Sequence, residues 1–274
     1  MSLPSSPRTV VTGAGSGLGR AFCQELARRG ARIVASDIDL DAAVATVNGL
    51  GGATAHAVRC DVTQLDEVER LAAECDRLLG GIDLVINNAG VAVGGLVGEV
   101  SIDNWAWIIG INLWGPIHGC HVFAPRLRAQ RSGHILNVAS TAGLITSPRL
   151  APYCVTKSAV VALSETLWAE LADDGVGVSV LCPTFFQTNI VDAARVDGDR
   201  SLLDPARQLM TAAKLQANAV ARLALDGVAR GDLYIVPHAD GRWLWRLKRL
   251  YPAGFNRLAT KLLAWRAARS GPSR

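Results

Sequence analysis

The sequence predicts an α/β protein: a doubly wound parallel sheet of about seven strands with helices on both faces. Three observations carry this. Short β-branched runs alternate with longer helical patterns along the chain, and alternation at that spacing builds parallel sheets. The strand candidates are continuous apolar runs without polar alternation, as strands covered on both faces are. A chain of 274 residues with 50% hydrophobic composition is long enough to bury one large core.

The elements follow in order. Arg8–Thr12 is a strand and Gly17–Arg29 a helix; Ala31–Ser36 and Ala53–Cys60 are the second and third strands. Thr63-Gln-Leu-Asp66 has the form of a capping box for a helix running to about Leu79. Ile82–Asn87 is the fourth strand, and Ser101 opens a long helical stretch to about Gln130. His134–Ala139 is the fifth strand. A helix over 151–172 carries Pro152 in its first turn, where proline is tolerated. Val176–Leu181 and Leu233–Val236 complete the sheet. Residues 185–230, mostly helical and interrupted by polar residues, lie between the last two strands, where a substrate lid would sit.

Composition narrows the function classes. Charged residues make up 19% of the chain, which argues against wholesale disorder. The formal net charge of +4 hides an asymmetry: residues 242–274 hold nine Lys or Arg and no acid, so the preceding chain is net acidic. Nothing in the main body calls for a nucleic-acid partner. The six cysteines are scattered without a CxxC pair and the five histidines lack metal spacing, so buried thiols and no metal site are expected. No signal-peptide pattern opens the chain, and no apolar run reaches the ~20 residues that span a bilayer. The expected location is cytoplasmic, with peripheral contact at a membrane kept open by the tail.

Thr12-Gly-Ala-Gly-Ser-Gly-Leu-Gly19 lies between the first strand and the first helix. Glycine permits the tight turn and lets backbone approach a pyrophosphate, which the free N–H groups and positive end of a helix then hold. This is the dinucleotide-binding pattern of a Rossmann-type sheet, with Gly13, Ser16, Gly17, Leu18 and Gly19 as cofactor-binding candidates. Asp37 ends the second strand, 18 residues beyond Gly19. A carboxylate there accepts hydrogen bonds from both ribose hydroxyls of NAD and repels the extra phosphate of NADP. Arg20, just after the loop, is the counter-indication.

Tyr153 and Lys157 are four residues apart on one helical face. An ammonium close to a phenol favours the phenolate, so Tyr153 is expected to have a lowered pKa and to serve as base or acid towards a hydroxyl or carbonyl. Ser140, at the end of the fifth strand, is placed to hydrogen-bond the substrate oxygen. Asn112, inside a helix that asparagine does not favour, is either assigned a specific polar role or is an exposed amide.

Together these residues resemble the short-chain dehydrogenase/reductase family, in its compact single-domain branch. The matching elements are TGAGSGLG at 12–19, Asp61-Val62, Asn87-Asn-Ala-Gly90, Asn112, Ser140, Tyr153-Cys-Val-Thr-Lys157 and Pro183…Thr188. They occur in the family's order over about residues 8–237. The resemblance implies Tyr153 as acid/base, and Lys157 as the residue that lowers its pKa and binds the nicotinamide ribose. It implies Ser140 as the substrate-orienting hydroxyl and Asn112 as holder of a water linking Lys157 to a proton relay. Asp61 and Val62 would meet the adenine, and Asn88, Ala89 and Gly90 would line the adenosine side. Thr188 would contact the nicotinamide carboxamide, helped by the backbone near Phe186, and Pro183 would also bind the cofactor. The helices Ser101–Gln130 and Ala151–Ala172 would pack a homo-oligomer, a dimer or commonly a tetramer. The chain departs from the pattern at Pro183-Thr184, where the family has Pro-Gly, which puts ring seating and substrate shape in question. Trp107–Asn112 and Leu233–Pro237 look like stretches of bacterial members acting on bulky or aromatic secondary alcohols.

The expected organisation is one Rossmann-type dehydrogenase domain over 1–241, with a lid at about 185–215, and a basic, aromatic-rich C-terminal tail at 242–274. The lid carries Phe185, Phe186, Ile190, Val191, Leu202, Leu203, Leu209 and Met210, which points to a bulky apolar substrate. In the tail, Phe255, Leu258, Leu262 and Trp265 form an imperfect apolar stripe among basic residues. The tail either caps the substrate pocket of its own or a neighbouring subunit, the favoured option, or lies on a lipid headgroup surface; nucleic acid is set aside. The expected activity is hydride transfer between NAD(H) and a secondary alcohol or ketone. The alternatives are an NADP-dependent ketoreductase and a non-catalytic NAD-binding scaffold protein.

Overall fold

The computed structural model describes residues 3–257. In chain order, β1 (Arg8–Thr12), α1 (Gly17–Arg28), β2 (Arg32–Asp37), α2 (Leu40–Asn48), β3 (Ala55–Arg59), α3 (Leu65–Leu79) and β4 (Leu84–Asn87) form the first half. After β5 (Val93–Gly94) come α4 (Ile102–Ile109), a π-helical turn at Gly110–Trp114, α5 (Gly115–Gln130), β6 (His134–Val138), α6 (Thr141–Leu144) and α7 (Ala151–Glu170). The chain continues through β7 (Gly177–Leu181), β8 (Arg195–Val196), α8 (Asp204–Thr211), α9 (Ala217–Arg230), β9 (Tyr234–Ile235) and α10 (Ala239–Leu250).

Seven strands form one sheet in the order β3-β2-β1-β4-β6-β7-β9, every neighbouring pair parallel. The expected doubly wound sheet is therefore present. Adjacent residues on a strand feed opposite layers, which is why the strands are apolar throughout. Val10 packs with Val68 and Leu71 of α3 and Phe123 and Leu127 of α5; Val11 packs with Phe22 and Leu26 of α1 and Val220 and Ala224 of α9. The winding reverses between β1 and β4, and a crevice opens beyond the carboxyl ends of strands at such a switch point.

The structure corrects several local expectations. The stretch 101–130 is not one continuous α-helix: it widens into the π-turn that contains Asn112, a form of helix that recurs at functional sites. Ser101 does cap its start, accepting the Asn104 N–H at 3.3 Å. The capping box at 63–66 is absent. Gln64 occupies the cap position without a capping bond from its side chain, and the entry is held by Asp61, whose carboxylate accepts the Thr63 N–H at 2.9 Å. Glu67 in turn accepts the Asp61 N–H at 2.7 Å. Helix α2 has no counterpart in the sequence pattern because it buries only Ala43 and Thr46 and so lacks an apolar stripe; Asp39 caps it. β5 and β8 pair in a separate two-stranded sheet that ties Val93–Gly94 to Arg195–Val196.

Candidate active site

The carboxyl ends of the sheet border a cavity of about 960 Å3. The glycine loop forms one end of it. A Cβ on Gly19 would lie 2.0 Å from the Gly13 carbonyl oxygen, and one on Gly13 would lie 2.8 Å from Ala89 Cα. Side chains there would fill the space through which backbone approaches a ligand. Asn88 locks the loop, its amide donating to the Thr12 carbonyl at 2.8 Å and the Gly13 carbonyl at 3.2 Å. Thr12 Oγ1 accepts the N–H groups of Asn88 and Ala89 at 3.0 and 3.2 Å. This cradle at the positive end of α1 fits a dinucleotide diphosphate.

Asp37 faces the same cavity, and one carboxylate oxygen accepts the Gly15 N–H at 2.8 Å while the other accepts the Asp39 N–H at 3.1 Å. Arg20 is engaged elsewhere: its guanidinium donates to the Gly15 carbonyl and to Thr46 Oγ1. Among the described residues, Lys157 is the only Lys or Arg on the cavity wall. Asp61 and Val62 line the far end.

At the opposite end lie Ser140, Tyr153 and Lys157. Ser140 precedes α6 rather than ending the strand, and its hydroxyl accepts the Ala142 N–H at 3.1 Å. Lys157 is 3% exposed; its Nζ donates to the Val138 carbonyl at 2.9 Å and lies 5.8 Å from the centre of the Tyr153 ring. Asn112 is fully buried, so it is not a surface amide. Its side chain pairs with the main chain of Val91, accepting the N–H at 2.8 Å and donating to the carbonyl at 2.9 Å. It stands behind the cavity wall: a Cβ on Gly90 would be 3.3 Å from Asn112 Oδ1 and 3.4 Å from Lys157 Nζ. Every other site residue expected from the sequence, from Gly13 to Thr188, borders the cavity.

One electrostatic expectation is reversed. Burial pushes the Tyr153 phenol up to about 12, against the Ser140 hydroxyl, which favours the phenolate. Burial likewise brings the Lys157 ammonium down to about 8. The chain alone therefore does not hold the phenol acidic: desolvation of the anion outweighs the Ser140 hydroxyl, and the Lys157 ammonium is directed to the Val138 carbonyl.

The remaining wall is apolar. Phe185, Phe186, Ile190, Val191, Leu203 and Met210 border the cavity, whereas Leu209 does not and is exposed. Thr188 lies over Gly17 of the glycine loop. Two wall features escaped the sequence expectations. Trp107 borders the cavity beneath the Arg195 guanidinium, 3.8 Å from its ring centre. Thr146 and Ser147 add hydroxyls. Asp240, Gly241 and Leu244 bring α10 itself to the wall. The methyl of Thr184, the departure from Pro-Gly, occupies the notch that Gly241 leaves, since a Cβ on Gly241 would be 2.8 Å from it and from the Thr141 methyl. Part of the expected tail thus borders the cavity. Phe255 is buried, and Leu258, Leu262 and Trp265 lie outside the described residues.

All six cysteines are buried and unpaired. Among the described residues no three His, Cys, Asp or Glu gather as for a metal ion, and no helix is long and apolar enough to cross a membrane.

Comparison with known proteins agrees with this geometry. The family model for short chain dehydrogenases matches residues 8–198. A probable oxidoreductase, EphD, of Mycobacterium tuberculosis strain H37Rv is 36% identical over 208 residues, 71% of this chain; the match spans 35% of the length of that relative. An uncharacterized oxidoreductase of Staphylococcus aureus strain N315 is 34% identical over 75% of this chain and 88% of its own. Among solved structures, a short chain dehydrogenase/reductase from Burkholderia phymatum in complex with NAD superposes with a TM-score of 0.84 at 39% identity, covering 91% of this chain and 95% of that one. The apo form of LigD from Sphingobium sp. strain SYK-6 follows with a TM-score of 0.74 at 29% identity, covering 89% and 96%. With its parallel sheet, glycine cradle and Ser140, Tyr153 and Lys157 on one cavity, the chain belongs to the short-chain dehydrogenase family of oxidoreductases.

Proposed function

We propose that the protein transfers a hydride between NAD(H) and a secondary alcohol or ketone with a bulky apolar or aromatic body. The observation that carries this is one cavity running from Asp37, past the glycine cradle, to Tyr153 and Ser140. Asp37 and a wall on which Lys157 is the only Lys or Arg among the described residues favour NAD over NADP. The structural relative that holds NAD supports the same choice.

When bound, the nicotinamide accepts or supplies the hydride and, oxidised, adds a positive charge. Ser140 Oγ orients the substrate oxygen, and Tyr153 Oη gives it a proton in reduction or takes one in oxidation. Lys157 is positioned to bind the nicotinamide ribose. Asn112, through Val91, holds the 88–91 segment against Lys157. The apolar lid residues exclude water and seat the body of the substrate. Exposed Trp114, Val155 and Trp168 on the α5 and α7 side support a homo-oligomer, and six buried, unpaired thiols suit the reducing cytoplasm.

The test is NADH absorbance with a panel of secondary alcohols and ketones, run with NAD and NADP in parallel. Turnover is expected with NAD, and Tyr153→Phe should lose it by ~100-fold or more, the usual scale of general acid–base catalysis, while NADH binding persists. Because the phenol titrates high, oxidation should accelerate as pH rises from neutral. Preference for NADP would favour the ketoreductase alternative, and NADH binding without turnover of any substrate would favour a scaffold.

A further inference from the structure

Helix α10 has four distinct sides. The inner side packs on the body through Gly241, through Trp245, whose ring lies 4.8 Å from that of Tyr234, and through Lys248, whose Nζ donates to the Leu144 carbonyl at 2.8 Å. Opposite it, Trp243, Leu247 and Leu250 follow one another at spacings of four and three and form a single outward stripe. They are 74%, 42% and 84% exposed, and Tyr251 extends the stripe. Arg242, Arg246 and Arg249 line one flank of the stripe. Leu244 lies on the other flank and is at the same time part of the cavity wall.

We propose that this face seats on an anionic phospholipid bilayer, and that the cavity takes its apolar substrate from the lipid beside Leu244. The second half of the proposal rests on the cavity being the substrate site described above. Aromatic and leucine side chains pointing outward between basic residues match the headgroup and upper acyl region of such a surface. Charge argues against the other ways of covering the stripe. Among the described residues, Arg242, Arg246, Lys248 and Arg249 have no carboxylate partner. A second copy docking here antiparallel, about a two-fold axis across the helix, would set arginines against arginines. Residues 258–274 add four more cations and no acid, so folding them over the stripe would also bring like charges together. The arginines reach the headgroup phosphates and the stripe enters below them, leaving the Leu244 flank of the cavity at the lipid boundary.

The experiment is co-sedimentation of the full chain with vesicles of phosphatidylcholine alone and of phosphatidylcholine mixed with phosphatidylglycerol. Binding should be at least ~10-fold tighter to the mixed vesicles and weaken in high salt. The triple variant Trp243→Ser, Leu247→Ser, Leu250→Ser should lose ~10-fold or more of that binding while NADH binding stays unchanged, which shows that it is folded. Equal sedimentation of wild type and variant, or none by wild type, overturns the proposal. So does a fall in solution mass of the variant by light scattering, which would make the stripe a subunit contact. Vesicle-dependent acceleration with a long-chain secondary alcohol, absent with a short water-soluble one, supports lipid-side entry; equal acceleration of both overturns it. Vesicle binding with no turnover of any alcohol would leave the surface contact standing and overturn the activity proposed above.

Discussion

The two ends of the cavity are built from different materials. The glycine-loop end is backbone: glycines whose side chains would collide with neighbouring main chain, carbonyls held by Asn88, and N–H groups held by Asp37 and Thr12. The lid end is side-chain packing: Phe185, Ile190, Leu203, Met210 and the Leu244 edge of α10. Backbone geometry tolerates almost no substitution, because a Cβ 2.0 Å from a carbonyl oxygen cannot be relieved by choosing another rotamer. Apolar packing tolerates many substitutions of similar volume. The rigid end therefore suits a constant cofactor, and the adaptable end a substrate that differs between relatives.

If that contrast is right, the largest effect lies at Gly19. Gly19→Ala should weaken NADH binding by ~1000-fold, about 4 kcal/mol, read by fluorescence titration. A loss below tenfold would show that the loop yields and that the contrast is overstated.

Lys157, at the seam between the two ends, carries the next effect. Its folded pKa of about 8 lies below its unfolded value of 10.5. Between those pH values the unfolded chain binds a proton that the folded chain does not, so stability rises with pH across that window. Below it, the buried charge costs the ligand-free protein about 3 kcal/mol. Lys157→Met should therefore raise the unfolding free energy at pH 7 by up to that amount and flatten its pH dependence between 8 and 10.5, while turnover is lost. Denaturant melts over that range test this, and an unchanged slope would remove Lys157 as its source.

At Asp37 the choice between cofactors should move by a factor of ten to a hundred, about 1.4–2.8 kcal/mol. Asp37→Ser should narrow the NAD-to-NADP ratio of kcat/KM, with the substrate KM little changed. If the ratio stays put, discrimination resides elsewhere.

The smallest effect is expected at the adaptable end. Gly241→Ala forces a methyl against Thr141 and Thr184 and should shift α10. That should lower kcat/KM for a bulky substrate by ~10-fold or less, with the NADH Kd unchanged and stability lower by about 1–3 kcal/mol. A loss of NADH affinity equal to that of Gly19→Ala would erase the distinction between the two ends.

How much of this the chain disclosed in advance varies by residue. Gly13, Gly19, Asp37, Tyr153 and Lys157 were readable because each sits at a fixed offset from a strand end or along a helix, and local spacing sets where it points. Trp107 was not readable as cavity wall, since an aromatic residue on a helix gives the same signal whether it packs in a core or borders a ligand. Helix α2 escaped because two buried residues make no periodic pattern. The capping box at 63–66 was a misleading match: Asp61 and Glu67 satisfy the main chain there instead.

Local chemistry thus specified the sheet, its strands and most of the residues around the cavity, because φ/ψ preference, apolar runs and short-range spacing are written over a few adjacent positions. Three features needed the folded chain. The π-turn presents Asn112 to Val91, 21 residues away in sequence. The notch at Gly241 receives Thr184 and makes α10 part of the wall. The opposed shifts of Tyr153 and Lys157 arise from burial contributed by many segments at once. Desolvation and close packing sum over residues far apart in the chain, and no local pattern contains that sum.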